Sequence, residues 1–525
     1  MFVVGKSTVA AFILLCSEIL FYIVFRFHLL PWANNKKFPQ NYRGYGRDRH
    51  KLFVRIVKRL YRTFKYDDIR FGNSDFVNNQ IDNCISIKKQ HTLEKDEKDE
   101  KFASIVNAFF RNFFYDKYHT SRVTTRHDLY DSDKNEFLKK GDFDKLLAWA
   151  FFEKNVENLD SWELDEIDKM NQFLDESYGF SFKPGYSQNI VPCRLSIDPV
   201  LGTYKPLLVY LILIAINLMG MIILFACGFR LYTTSTNIRY WFRPTTKSDL
   251  SKMKNKFGNH SNLDNYPFLF FHGISPGGYT MYLPFLLYGI LDNDRPIFLF
   301  ETFSITCTLQ FPLFQSSSEN ETIIAVKEAI NNHIGANTKI ILCGHSFGSC
   351  QITWLVHAIP NRIHKMMLVD PVTILLSNAD VMVNFLYGHL YHFRHIQTLS
   401  TTTKFEIKSK RSRHIVSSEL GIQYYLRKHF SWYNSELWLE DIPNNVEVII
   451  FLSGQDDIIN ACDVKKEIQI SIQTRKKAFE MSIDTDENKC KYPNLKLVYW
   501  PMDGHGDCIL SPKRWAEIKQ RIPVT

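Results

Sequence analysis

Apolar and polar positions change rhythm several times along this chain. Residues 8–25 are a hydrophobic run interrupted by Glu18, followed by Arg26, His28 and Pro31. Such a run predicts a signal anchor or first transmembrane helix. A cleavable signal peptide is the alternative, although no small-x-small site follows, and the costly buried carboxylate adds a tilted or partly interfacial helix as a third reading. Residues 206–229 are apolar on every face, with Asn217 the one strongly polar side chain. At about 1.5 Å per residue this stretch spans the ~30 Å hydrocarbon core, and it predicts a transmembrane helix.

Between these runs the pattern is helical. In residues 51–65, Phe53, Ile56, Val57, Leu60 and Phe64 recur on one face and Lys51, Arg55, Lys58, Arg59, Arg62 and Lys65 fill the rest. Such a basic amphipathic helix can lie on anionic lipid or dock on a domain core. Residues 94–101 are a solvated charge run, and 102–180 carry aromatic residues at helical spacing. From Asn262 the rhythm switches to short continuous apolar runs alternating with helices. Strands are predicted at 268–271, 296–300, 340–343, 365–370, 446–453 and 495–500. Continuous apolar strands with crossover helices predict a parallel sheet covered on both faces, an α/β fold.

Composition narrows the class. Hydrophobic residues make up 45% and charged residues 23% of 525, which excludes wholesale disorder. The net charge is +9, with much of the excess just after the first hydrophobic run, a pattern that suits an anionic membrane surface better than nucleic acid. Ten cysteines without C-x-x-C pairs read as free thiols, with no zinc or disulfide framework. Basic residues follow both apolar runs, at 26–65 and 230–247, so each run asks for a cytosolic face after it. Two single crossings cannot satisfy both, and the side occupied by the second half is left open.

Candidate chemistry centres on Gly344-His345-Ser346-Phe347-Gly348, between an apolar strand and a helix. In that setting G-x-S-x-G is a nucleophile elbow: the serine stands at a sharp, strained turn and the glycines make room for crossing backbone. Three strand ends join it. His272-Gly273-Ile274 is a loop whose N–H groups, with that of Phe347, can bind an oxyanion, Ile274 being preferred and Gly273 the runner-up. Asp456 is the preferred acid and Asp457 its alternative, with Asp370 a third possibility. His505, flanked by glycines, is the base, since imidazole accepts and returns a proton near neutrality. His272 itself reads as structural. Asp131–Asp142 has calcium-loop acids at several positions but Glu136 where the turn needs glycine, so a polar helix–turn–helix is preferred.

The chain order Ser346, Asp456, His505, with the His272–Gly273 loop and the glycine after His505, resembles the α/β-hydrolase superfamily over residues 263–525. The resemblance implies a mostly parallel sheet with helices on both faces and a helical cap, a serine nucleophile, a histidine base, an aspartate orienter, and no cofactor or metal. The segment from Cys193 to Pro199, followed by Pro206 and an apolar helix, is similar to membrane-anchored fungal-type hydrolases. The expected organisation is an anchor at 1–31, a mainly helical region at 32–205, a transmembrane helix at 206–229, a linker at 230–262 (or a sheet edge within 230–245) and the hydrolase domain at 263–525. An aromatic cap insertion is expected at about 372–445, containing the basic run 408–413. The function expected is a membrane-anchored serine hydrolase of carboxylic esters, lipid esters included, integral to an endomembrane such as the ER. It needs no nucleic acid and no obligate protein partner. An acyltransferase on the same triad and a non-catalytic membrane scaffold are the rivals.

Overall fold

Strands β5 (Phe268–Phe271), β6 (Ile297–Phe300), β7 (Ile340–His345), β8 (Ile363–Val369), β9 (Glu447–Ser453) and β10 (Leu495–Trp500) form one parallel array. The computed structural model describes residues 6–36, 48–71, 91–116, 138–245, 266–291, 295–309, 316–388, 414–482 and 494–522. Phe268, Leu269, Phe270 and Phe271 are all fully buried, as strands covered on both faces must be.

The sheet order is β10-β9-β8-β7-β5-β6-β4-β3. Its last two members, β3 (Arg230–Thr233) and β4 (Arg239–Arg243), run antiparallel, β4 pairing with β6. Residues 230–243 are therefore sheet edge and not linker. Tyr240 and Trp241 alternate across the pleat and are buried, which composition alone does not reveal. Crossovers are made by α7 (Glu319–His333) and α8 (Gly348–Ala358) among others, and α10 (Ala461–Ser482) and α11 (Pro512–Lys519) complete the layers. This is the α/β-hydrolase fold. The chain leaves β5 toward β6 and returns to its other side at β7, so the carboxyl ends of β5 and β7 flank a topological switch point.

Contacts divide the chain into two units. The first holds the sheet and both apolar helices, α1 (Lys6–Val24, continued by a π turn and a further turn to Asn35) and α6 (Leu207–Ala226). Glu18 is not stranded in α1. Its carboxylate accepts the Leu207 N–H at 3.0 Å and the Tyr204 hydroxyl, capping the start of α6.

The second unit comprises residues 40–198 and 377–409. Its helices are α2 (Arg49–Phe71), α3 (His91–Arg111), α4 (Lys140–Phe152) and α5 (Ser161–Tyr178), with a two-stranded sheet of β1 (Phe114–Asp116) and β2 (Ile190–Pro192). Of the two readings of residues 51–65, docking on a core is the one observed. Phe53 is fully buried among Phe110, Phe143, Phe151 and Phe173. The charge run 94–101 lies within α3. Most of the calcium-like loop lies outside the described residues. Asp142, its last position, accepts the Ser187 and Lys139 N–H groups and so satisfies the start of α4. The basic run 408–413 also lies outside them.

Candidate active site

Ser346 ends up strained because β7 turns into α8 with no intervening loop. Its φ is +52°, a left-handed value that a side chain adopts only under constraint. The flanking glycines are required by contact. A Cβ on Gly348 would lie 2.2 Å from the Phe271 carbonyl oxygen, and one on Gly344 would lie 2.8 Å from the Gly348 backbone. A Cβ on Gly273 would come within 2.8 Å of the Ser346 Cβ, so the loop after β5 passes directly beside the serine.

His505 reaches Ser346 from the loop after β10. Its Nε2 lies 2.8 Å from Ser346 Oγ, and its Nδ1 lies 2.6 Å from Asp456 Oδ2. An ionised carboxylate only accepts, so Nδ1 carries the ring proton and Nε2 receives the serine O–H. Asp456 is fixed by its own turn after β9, where its Oδ1 accepts the Ile458 and Ile459 N–H groups at 2.8 and 3.0 Å. The imidazole partner is thus Asp456 and not Asp457.

Asp370, the third acid considered, is fully buried at the end of β8 with φ +43°. It does not bond the imidazole. Its oxygens accept the Ser453 N–H at 2.8 Å, the Ser453 hydroxyl at 3.1 Å and the Gly506 N–H at 3.0 Å. It therefore ties the end of β9 to the residue after His505. Burial pushes its carboxyl up to about 6, with the neighbouring Asp456 charge adding to the effect.

Of the oxyanion candidates, Gly273 is excluded by its partner: its N–H donates to the Tyr282 hydroxyl at 2.8 Å. Among the described residues, the Ile274 and Phe347 N–H groups make no such turn or loop bond. The Tyr282 hydroxyl in turn donates to His345 Nδ1 at 2.8 Å, and burial holds His345 neutral. Tyr282 was not singled out from the sequence, since a tyrosine within a helix-like run carries no positional signal. His272 is structural: its Nδ1 donates to the Gly273 carbonyl, its Nε2 accepts the Thr302 N–H, and burial pulls it down to about 4.

The expected cap insertion divides. Residues 377–388 belong to the second unit, whereas α9 (Leu420–Lys428) stays with the sheet. There Tyr425 and Phe430 pack on Phe347, each with ring centroids 5.7 Å apart. Glu419 caps α9 through the Ile422 N–H and also accepts the Tyr210 hydroxyl from α6.

No family model matches the chain, and no curated protein matches it. Solved structures do. A carboxylesterase of Bacillus subtilis aligns over 60% of this chain and 97% of its own, at 11% identity and a TM-score of 0.36. A thermophilic esterase from Thermogutta terrifontis aligns over 56% and 99%, at 12% identity and 0.36. A bacterial membrane phospholipase A aligns over 60% and 92%, at 12% identity and 0.37. At these scores the fold assignment rests on the chain's own sheet order.

Proposed function

We propose that this protein is a membrane-associated serine hydrolase of carboxylic esters. The observation that carries the reading is the unbroken hydrogen-bond chain Ser346–His505–Asp456 at a strained elbow. His505 takes the Ser346 proton as Oγ attacks the ester carbonyl. The N–H groups of Phe347 and Ile274 receive the negative charge that develops on the carbonyl oxygen. His505 then returns the proton to the departing alcohol, leaving an acyl-serine. Water, deprotonated by the same imidazole, releases the acid.

Asp456 holds the imidazole in the productive tautomer and balances its transient positive charge. Tyr425 and Phe430 make the wall beside Phe347 apolar, which suits an acyl chain and keeps water from the site. A fluorophosphonate probe is expected to label the native chain at Ser346 and to leave Ser346→Ala unlabelled. A folded native chain that does not label would sink the reading.

A further inference from the structure

Residues on either side of α6 in sequence pack together in the second unit. The Arg59 guanidinium donates to Ser377 Oγ, and the Tyr387 hydroxyl donates to Asp198 Oδ2 at 2.7 Å. Arg59 and Asp198 precede α6, whereas Ser377 and Tyr387 follow it. Between Asp198 and Ser377, α6 is the one described helix long and apolar enough to cross a bilayer. The longest stretch of that interval outside the described residues, 246–265, carries Lys247, Asp249, Lys252, Lys254 and Lys256, and is too polar to cross. A single crossing by α6 would put about 30 Å of hydrocarbon between groups that share hydrogen bonds.

The packing of α6 agrees. Tyr210, Gly220 and Leu224 are the buried residues of the helix, spaced along one side of it. Thr280 Oγ1 donates to the Ile216 carbonyl at 3.2 Å, and a Cβ on Gly220 would lie 2.2 Å from that same Thr280 Oγ1. Phe225 packs edge-on against Trp241 of β4. The opposite face exposes Leu208, Leu211, Leu218 and Ile222, the last 68% accessible. A helix docked from end to end on a sheet domain cannot also stand upright through a bilayer, unless the domain goes with it.

We propose that α6 lies in the plane of one leaflet, one side on the hydrolase sheet and the other among acyl chains. The second unit and the hydrolase domain then lie on the same side of the membrane. The apolar face continues onto α1 through the Glu18–Leu207 bond, where Phe12, Leu15 and Leu20 are exposed. It ends in an interfacial set, exposed Arg26, Trp32 and Lys36, with the Lys36 ammonium 5.1 Å from the Trp32 ring centre. In-plane docking also removes the conflict between the two basic flanks, because α6 then imposes no crossing between them.

The proposal rests on the membrane association in the functional reading but not on catalysis, and its test uses neither Ser346 nor an ester. The full chain is incorporated into sealed vesicles of phosphatidylcholine and phosphatidylserine. Asp165→Cys on α5 and the native Cys462 on α10 are exposed in their respective units. Each is challenged with a membrane-impermeant maleimide before and after detergent, and labelled peptides are quantified by mass. Equal accessibility of the two is expected; one labelled while the other is protected would overturn the proposal.

Depth is read separately with Leu211→Trp, Leu218→Trp and Phe225→Trp, each measured against the parent chain with lipids brominated along the acyl chain. An in-plane helix gives similar quenching depths at all three. A midplane maximum at position 218, or no quenching at any position, overturns it. Failed probe labelling at Ser346 with equal accessibility retained would remove the hydrolase reading and leave this one standing.

Discussion

At the scale of single residues, two buried carboxylates beside one histidine do different work. Asp456 bonds the imidazole, and Asp370 bonds the backbone that carries it. Asp456→Asn is expected to cut kcat by about 10³–10⁴-fold, because the ring loses the partner that sets its tautomer. Asp370→Asn is expected to cost only about 10–100-fold, through a loosened His505 loop. Steady-state kinetics on a short-chain ester compare the two, and equal losses would contradict the division of roles.

Asp370 also has a pH signature. Its folded value of about 6 lies above the ordinary carboxylate value of 3.8, so the folded chain holds this proton more tightly than the unfolded one. The stability that proton confers is complete below about pH 4 and is lost as pH rises through about 6. Thermal melts across that window are expected to show Asp370→Asn gaining on the parent as pH rises, by no more than about 3 kcal/mol. Tyr282→Phe strips the acceptor from the Gly273 N–H and is expected to destabilise by about 1–3 kcal/mol, read by denaturant unfolding.

At the scale of elements, the strand–elbow–helix unit is held by close backbone approach. Gly348→Ala has to displace the Phe271 carbonyl in the centre of the sheet. Loss of folded protein is the expected result, checked by expression and circular dichroism in detergent. The start of α6 depends on a carboxylate from another helix. Glu18→Ala leaves the Leu207 N–H and the Tyr204 hydroxyl without their acceptor, and a destabilisation of about 1 kcal/mol is expected in detergent melts.

These two elements also differ in how legible they were. The elbow is local, since five consecutive residues between a strand and a helix state its geometry. The clasp between Glu18 and Leu207 joins positions remote in sequence, so Glu18 read only as an interruption in an apolar run. For the same reason the residues of β3 and β4 fit a linker as well as a sheet edge: a short antiparallel edge has no crossover helix to announce it.

At the scale of the whole molecule, the sequence by itself determined the parallel α/β architecture of the second half and the strand ends where Ser346, Asp456 and His505 occur. Continuous apolar strands can be buried only in a covered sheet, and polar residues just past such strands collect along one edge of it. Tertiary structure decided what depended on direction and on distant partners. Asp456, Asp457 and Asp370 are the same residue type at similar strand ends, and only the course of each turn shows which carboxylate meets the imidazole. Gly273 and Ile274 are neighbours, and only the reach of Tyr282 separates their N–H groups. Residues 206–229 are apolar enough to cross a bilayer, because hydropathy measures what a helix face avoids and not what covers it. Thr280 and Trp241 on one side of α6, and the bonds from Arg59 to Ser377 and from Tyr387 to Asp198 across its position in the chain, are contacts that no local pattern encodes.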